Sequence, residues 1–361
     1  MQPRGRKHVT LGVGCAAVVA VAVSLSACSS SSSPKPSSSS TAAQLSGTLN
    51  GAGSTFQTTF QQAAISSFKS VQSGMTVNYD GVGSGTGRSD LAANTVNFAG
   101  SDSPIPSTET ANFAGKPTVL YFPVVIGPIT LSYNLSGVSN LKLTPTVIAN
   151  IFQGKITTWN DSAIAAINPG VSLPSSPITI AVRSDSSGTT QNFSLFLQTA
   201  VPSVWTLGSS STISWPSSAR AGSGNTGVAQ IVKSTPGAIG YVDYSTAKAS
   251  GLTYASVENS SGKFIAPSVT GASASAAGVT VNPDLTFHAV WGSGATAYPI
   301  TYQSWVLVYS KQANANDAKM LQAYIGYLLG AGQQLLPSLN YAPLPAAIDQ
   351  MAKAQLSKIT G

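Results

Sequence analysis

From about residue 46 onward, short apolar or β-branched runs alternate with stretches whose apolar positions recur every three or four residues. The short runs predict strands over 47–50, 75–79, 95–100, 178–182, 238–242 and 305–309. The runs over 119–126 and 129–134 are apolar on both faces, the pattern of strands buried in a two-faced sheet. The helical spacing of Phe56, Phe60, Ala64 and Phe68 predicts one helix, and Phe193, Phe196, Leu197, Ala200 and Val201 mark the face of another. Further helices are predicted over 88–93, 144–152, 162–167, 227–233, 317–329 and 345–356. The order is α/β throughout. Residues 253–297 break the pattern: they are rich in Ser, Ala and Gly with weak periodicity, and read as loops with one helix. No internal repeat recurs at a fixed spacing.

The first 45 residues follow other rules. Arg4, Arg6 and Lys7 precede an apolar run from Val9 to Leu25, which ends in Leu25-Ser26-Ala27-Cys28. A charged start, an apolar core and small residues before a cysteine, in that order, read as a signal peptide over 1–27 whose end resembles the lipobox of bacterial lipoproteins. Cys28 would carry the lipid. The bland alternative is that Cys28 merely edges a signal anchor. The Ser/Pro-rich stretch over 28–46 has no apolar periodicity and reads as a tether, reaching roughly 20–25 Å if flexible.

Composition sharpens this picture. Of 361 residues, 42% are hydrophobic and only 8% charged, which excludes wholesale disorder and a coiled coil. The length predicts two domains. The formal charge of +7 suggests nucleic acid until one notes that three of the basic residues lie in the segment to be removed. The only cysteines are Cys15 and Cys28, so the mature chain is expected to lack a disulfide or a Cys-ligated metal.

Acid–base chemistry is poorly supplied. His288 is the sole histidine past the leader and has no acidic or Cys neighbour, so it reads as a partly buried residue in a strand or loop. Neither Gly115-Lys116-Pro117 nor Gly154-Lys155-Ile156 completes a P-loop. Four polar clusters instead fall at strand ends or helix starts: Gly51-Ala52-Gly53-Ser54-Thr55-Phe56, Gly81 to Gly87, Ser101-Asp102-Ser103-Pro104, and Arg183 to Thr189. Glycines let backbone N–H groups converge, helix N-termini add orphan donors, and hydroxyls add adjustable ones. Together they suit an anion. Thr55, Ser84 and Ser187 could each be an ordinary N-cap. That reading does not explain why an Arg and two Asp sit among the donors of so charge-poor a chain.

The motifs G-A-G-S-T-F, G-x-G-S-G-x-G, S-D-x-P and R-x-D-x-S-G-T, in this order, resemble the phosphate-binding proteins (PstS) of bacterial phosphate ABC transporters. The likeness runs from about Leu49 to Leu356 and takes in 154–161, 236–242 and 299–301; residues 253–297 do not match it. It implies a periplasmic-binding-protein-like fold of two α/β domains around a ligand cleft. Domain I would comprise 47–126 and 297–361, and domain II 127–296. It places the phosphate contacts on Thr55, Phe56 (through its N–H), Ser84, Asp102, Arg183, Ser187, Gly188 and Thr189, with Asp185 orienting Arg183. Asp102 would accept a hydrogen bond from phosphate and reject sulfate. The implied protein is a monomeric, lipid-anchored, extracytoplasmic receptor that delivers phosphate to membrane permease and ATPase subunits, without cofactor, metal, nucleic acid or catalysis. Two alternatives are a secreted phosphatase-like hydrolase using Ser84 or Ser187 with His288 as base, and a non-transport surface lipoprotein.

Overall fold

A computed structural model describes residues 44–361. The expected leader, Cys28 and most of the tether lie outside the described residues.

Strands β1 (Gly47–Gly53), β2 (Met75–Asp80) and β3 (Phe98–Ser101) are parallel, joined by helices α1 (Thr58–Phe68) and α2 (Ser84–Ala92). The apolar positions of α1 at Phe60, Ala64 and Phe68 are buried. Phe56 does not belong to that helix as its spacing predicted. It precedes α1 and packs its ring 4.1 Å from Tyr302 and 5.1 Å from Tyr341, centroid to centroid. Helix α2 begins four residues before the predicted start. Gly83 caps it at φ 99°, a conformation open to glycine, and donates its N–H to Gly53 O at 2.7 Å.

The next strand, β4 (Val119–Tyr133), is a single 15-residue element where two runs were expected. Pro123 and Pro128 make the sequence look broken, because proline cannot donate to a central ladder. Both sit where no donor is required. Pro123 lies at a register shift opposite Ser304/Trp305, and Pro128 is the last residue paired with β12 (Thr301–Tyr309). From Ile129 onward β4 pairs instead with β8 (Ala238–Asp243).

After β4 come β5 (Lys142–Leu143), α3 (Pro145–Phe152) and α4 (Ser162–Ile167). A second parallel group follows, with β6 (Thr179–Arg183), α5 (Gly188–Ala200), β7 (Arg220–Gly222) and α6 (Gly224–Ser234) leading to β8 and α7 (Tyr244–Ala249). The main sheet has the order β2-β1-β3-β12-β4-β8-β6-β7, so an antiparallel pair, β12 and β4, joins two parallel halves. Every residue of β12 is buried, as is all of β4 but its first. The chain closes with α9 (Ala315–Leu329) and α10 (Ala346–Gln355).

Residues 253–297 hold more order than expected. Besides α8 (Val269–Ala276) they form β9 (Thr253–Tyr254), β10 (Ser256–Glu258) and β11 (Phe264–Ile265). β9 pairs with β4, and β10 joins β5 and β11 in a small separate sheet. Strands of two or three residues are too short to show an alternation. The following loop is fastened by side chains: Ser275 Oγ donates to Ala289 O (2.7 Å), Asn259 Nδ2 to Ala297 O (3.0 Å) and Trp305 Nε1 to Leu285 O (2.9 Å).

This last bond generates a prediction. Trp305 is fully buried, so Trp305→Phe leaves the Leu285 carbonyl unpaired in the interior. The expected loss is ~1–3 kcal/mol of unfolding free energy, read as a lower urea midpoint at unchanged slope. An unaltered midpoint would mean that this bond does not anchor the loop.

Candidate functional site

The four polar clusters lie at the C-terminal ends of parallel strands, β1, β2 and β3 in one half of the sheet and β6 in the other. In open α/β sheets this is where strand-to-helix turns face a crevice. Hydrogen bonds join the two groups of turns. Gly85 N–H donates to Ser186 O (3.0 Å), and Asn192 Nδ2 on α5 donates to Asp102 O (2.6 Å). Gly188 comes so close to Asp102 that a Cβ there would lie 2.6 Å from Asp102 Oδ2, which explains glycine at that position.

Asp102 is 1% exposed, directly after β3. Its Oδ1 accepts from Ser54 Oγ and Ser304 Oγ, each at 2.5 Å, and Ser84 Oγ stands 3.4 Å from Oδ2. Burial pushes its carboxyl up to about 6, although those hydroxyls and the charge of Arg183 pull the other way. Ser304 is itself set by Gln57, whose Nε2 donates to Ser304 Oγ at 2.6 Å. Ser84 is the first residue of α2 and not its cap; its Oγ accepts from the Asp102 N–H at 3.1 Å.

Arg183 ends β6 with its side chain 1% exposed. Its Nε donates to Asp185 Oδ1 at 2.8 Å and its Nη2 to Asp185 Oδ2, a two-point grip on one carboxylate. Nη1 donates to Thr189 Oγ1 at 3.4 Å. Burial raises the Asp185 carboxyl, but its bonds to Arg183 and that residue's charge outweigh burial and hold it below the usual range. The expected orienting role of Asp185 thus has its geometry.

Ser187 caps α5, its Oγ accepting from Thr190 N–H at 3.1 Å. The N–H groups of Gly188 and Thr189, one turn ahead, have no intrahelical acceptor by position. Ser187, Gly188 and Thr189 are all buried. Thr55, half-buried between β1 and α1, accepts on Oγ1 from Asn225 Nδ2 at 3.1 Å. Beside it lies a polar cavity of about 350 Å³, lined by residues that include Thr55, Thr59, Asp80, Gly224 and Asn225.

Ser54, Gln57, Ser304, Asn192 and Asn225 were not singled out as site residues. Ser54 lay within a recognised glycine turn, but the others carry no local signal, since only pairing β12 beside β3 brings Ser304 to Asp102. Arg88 is likewise a structural surprise. It is fully buried, grips Glu109 with Nε and Nη2 at 2.7 Å each, and donates Nη1 to Ser101 and Ser103 Oγ at 3.0 Å, bracing both sides of Asp102. His288 lies in the loop ahead of β12, solvent-accessible yet partly desolvated, and that burial lowers its imidazole below the usual value.

Comparison with known proteins places this geometry. Residues 38–331 match the family model of the PBP superfamily domain. The phosphate-binding protein PstS 3 of Mycobacterium leprae is 36% identical over 82% of this chain and 83% of its own length. PstS of Pasteurella multocida is 33% identical over 85% and 89%. Among solved structures, the high affinity periplasmic phosphate-binding protein PfluDING, bound with phosphate, superposes with a TM-score of 0.72 at 24% identity, covering 86% of this chain and 94% of its own. The phosphate-binding protein from Stenotrophomonas maltophilia gives 0.69 at 21%, covering 85% and 93%. The strand order, the crevice at the strand ends and these relatives agree: the chain belongs to the phosphate-binding PstS family of the PBP superfamily.

Proposed function

We propose that the protein captures inorganic phosphate outside the cytoplasm and hands it to a membrane ABC permease with its ATPase. The observation that carries this reading is the buried Asp102 carboxylate facing the N-terminus of α5 and the Arg183 pair across one crevice. The phosphate contacts are Thr55, the Phe56 N–H, Ser84, Asp102, Arg183, Ser187, Gly188 and Thr189. Ser187 already accepts from Thr190, so its own proton is free for the anion. The N–H groups of Gly188 and Thr189 add two more donors. Charge-assisted bonds of this kind contribute ~1.5–3 kcal/mol each, so several outweigh desolvation. The crevice lies between domain I (47–126 and 297–361) and domain II (127–296). The change of partner in β4 at Pro128/Ile129 supports that division. The protein acts as a binder and not as an enzyme, and a lipid on Cys28 anchors it as a monomer to the outer face of the membrane. No observation favours the hydrolase or the non-transport lipoprotein.

The deciding experiment is calorimetric titration of the full chain with phosphate, sulfate and arsenate. Phosphate near neutral pH keeps at least one proton, so Asp102 can accept a hydrogen bond from it, while sulfate would set a lone pair against the carboxylate. Wild type is expected to bind phosphate far more tightly than sulfate, and Asp102→Asn to narrow that gap; comparable binding of both anions by wild type would remove Asp102 as discriminator. The same variant has a second signature. Because burial raises this carboxyl to about 6, the unliganded wild type loses stability as pH rises from about 4 through 6. Asp102→Asn should therefore be the more stable above pH 6, by on the order of 1–3 kcal/mol, with the difference vanishing below about pH 4.

Arg183→Ala removes a desolvated donor and leaves Asp185 without its cation. The expected loss is ~3–5 kcal/mol of phosphate binding, some hundredfold to several thousandfold in Kd. Near wild-type titration would place the anion elsewhere. Cys28→Ala should move the protein from the membrane to the soluble fraction on cell fractionation; unchanged membrane association would mean that a lipid on this residue is not the anchor.

A further inference from the structure

Asn225 is 1% exposed, in the first turn of α6, and belongs to none of the four glycine- and hydroxyl-rich turns. Its Nδ2 donates to two hydroxyls at once, Thr55 Oγ1 at 3.1 Å and Thr189 Oγ1 at 3.4 Å. Its Oδ1 is buried with no hydrogen-bond partner among the described residues. A buried unpaired amide oxygen is costly, and nothing among the described residues offsets it, which points to what its Nδ2 does.

The effect on the hydroxyls follows from counting lone pairs and protons. A threonine hydroxyl has one proton and two acceptor sites. Thr189 Oγ1 accepts from Asn225 Nδ2 and Arg183 Nη1, which occupies both sites and leaves its proton to point away from them. Tyr302 also interacts with Thr189 through its buried hydroxyl, which has no partner at hydrogen-bond distance, so it is a weaker competitor than an anion for that proton. Thr55 Oγ1, on the other side of the crevice, is engaged by the same amide. The turn presenting Asn225 is fastened in its own right. Gly224 takes φ 65°, a left-handed conformation suited to glycine, and donates its N–H to Asp185 Oδ1 at 3.0 Å.

We propose that Asn225 is a positioning residue that fixes hydrogen-bond polarity in the anion site: with Arg183 it fills both acceptor sites of Thr189, making that hydroxyl an obligate donor, and it takes one acceptor site of Thr55, biasing it the same way, so that acceptance of a hydrogen bond from the ligand falls to Asp102. The inference rests on the proposed phosphate site. It adds a polarity filter to which both sides of the crevice contribute.

The test is a double-mutant cycle read by phosphate titration of the full chain, with thermal unfolding of each unliganded variant alongside. Asn225→Asp keeps the shape but offers the threonines an acceptor, reversing their polarity; the expected loss of phosphate affinity is on the order of 100-fold or more. Asn225→Ala should cost roughly tenfold in the wild-type background and less than about threefold once Thr55→Val and Thr189→Val have removed the hydroxyls, because coupled residues are not additive. Phosphate affinity of Asn225→Asp within about threefold of wild type, or an equal cost of Asn225→Ala in both backgrounds, overturns the proposal. Should Asn225→Asp fail to fold, the alanine cycle decides alone. Failure of the underlying site looks different: wild type itself would not bind phosphate, or the paired valine variant would bind it unchanged.

Discussion

A carboxylate taken out of water, with three serine hydroxyls on it and no lysine or arginine within ion-pair distance among the described residues, sets the terms for everything around it. Asp102 is costly to bury as a charge, and the hydroxyls only partly offset that cost. An anion beside such a group cannot be held by net positive charge, since the two guanidiniums nearby, Arg183 and Arg88, are already matched by Asp185 and Glu109. What remains is directed dipoles: backbone N–H groups at the start of α5 and hydroxyl protons whose direction the surroundings fix. In the proposed phosphate site, selectivity would then rest on where each proton points, and so on the residues behind the contacts.

Those residues are held by the sheet. β12 places Ser304 against Asp102, and Gln57 reaches across from β1's side to set Ser304. The same β12 pairs along the first ten residues of β4, and β4 then passes to β8, beside which β6 ends in Arg183. Three buried strands, β12, β4 and β8, therefore relate Asp102 to Arg183. Arg88 works at shorter range: its bonds to Ser101 and Ser103 stiffen the turn that carries Asp102, and its own charge is met by Glu109. Of the three ion pairs among the described residues, these two, Arg88–Glu109 and Arg183–Asp185, stand next to the crevice.

The sequence by itself determined what depends on neighbours along the chain. Apolar spacing located most strands and helices, and glycines beside hydroxyls at strand ends marked the four turns, because a turn's backbone and a helix's first donors are local properties. The Arg183–Asp185 pair was legible for the same reason, two residues apart on one turn. Where local rules misled, a tertiary requirement had replaced them. Pro123 and Pro128 read as breaks, yet a register shift and a change of partner spare them the missing donor, so β4 runs through. Phe56 matched a helical period but serves as a ring between Tyr302 and Tyr341. Only the folded structure decided that Ser54 and Ser304, 250 residues apart, share one oxygen of Asp102, and that Asn225 engages Thr55 and Thr189 with one nitrogen. No sequence pattern encodes such meetings, because they exist only once strands far apart in the chain lie side by side.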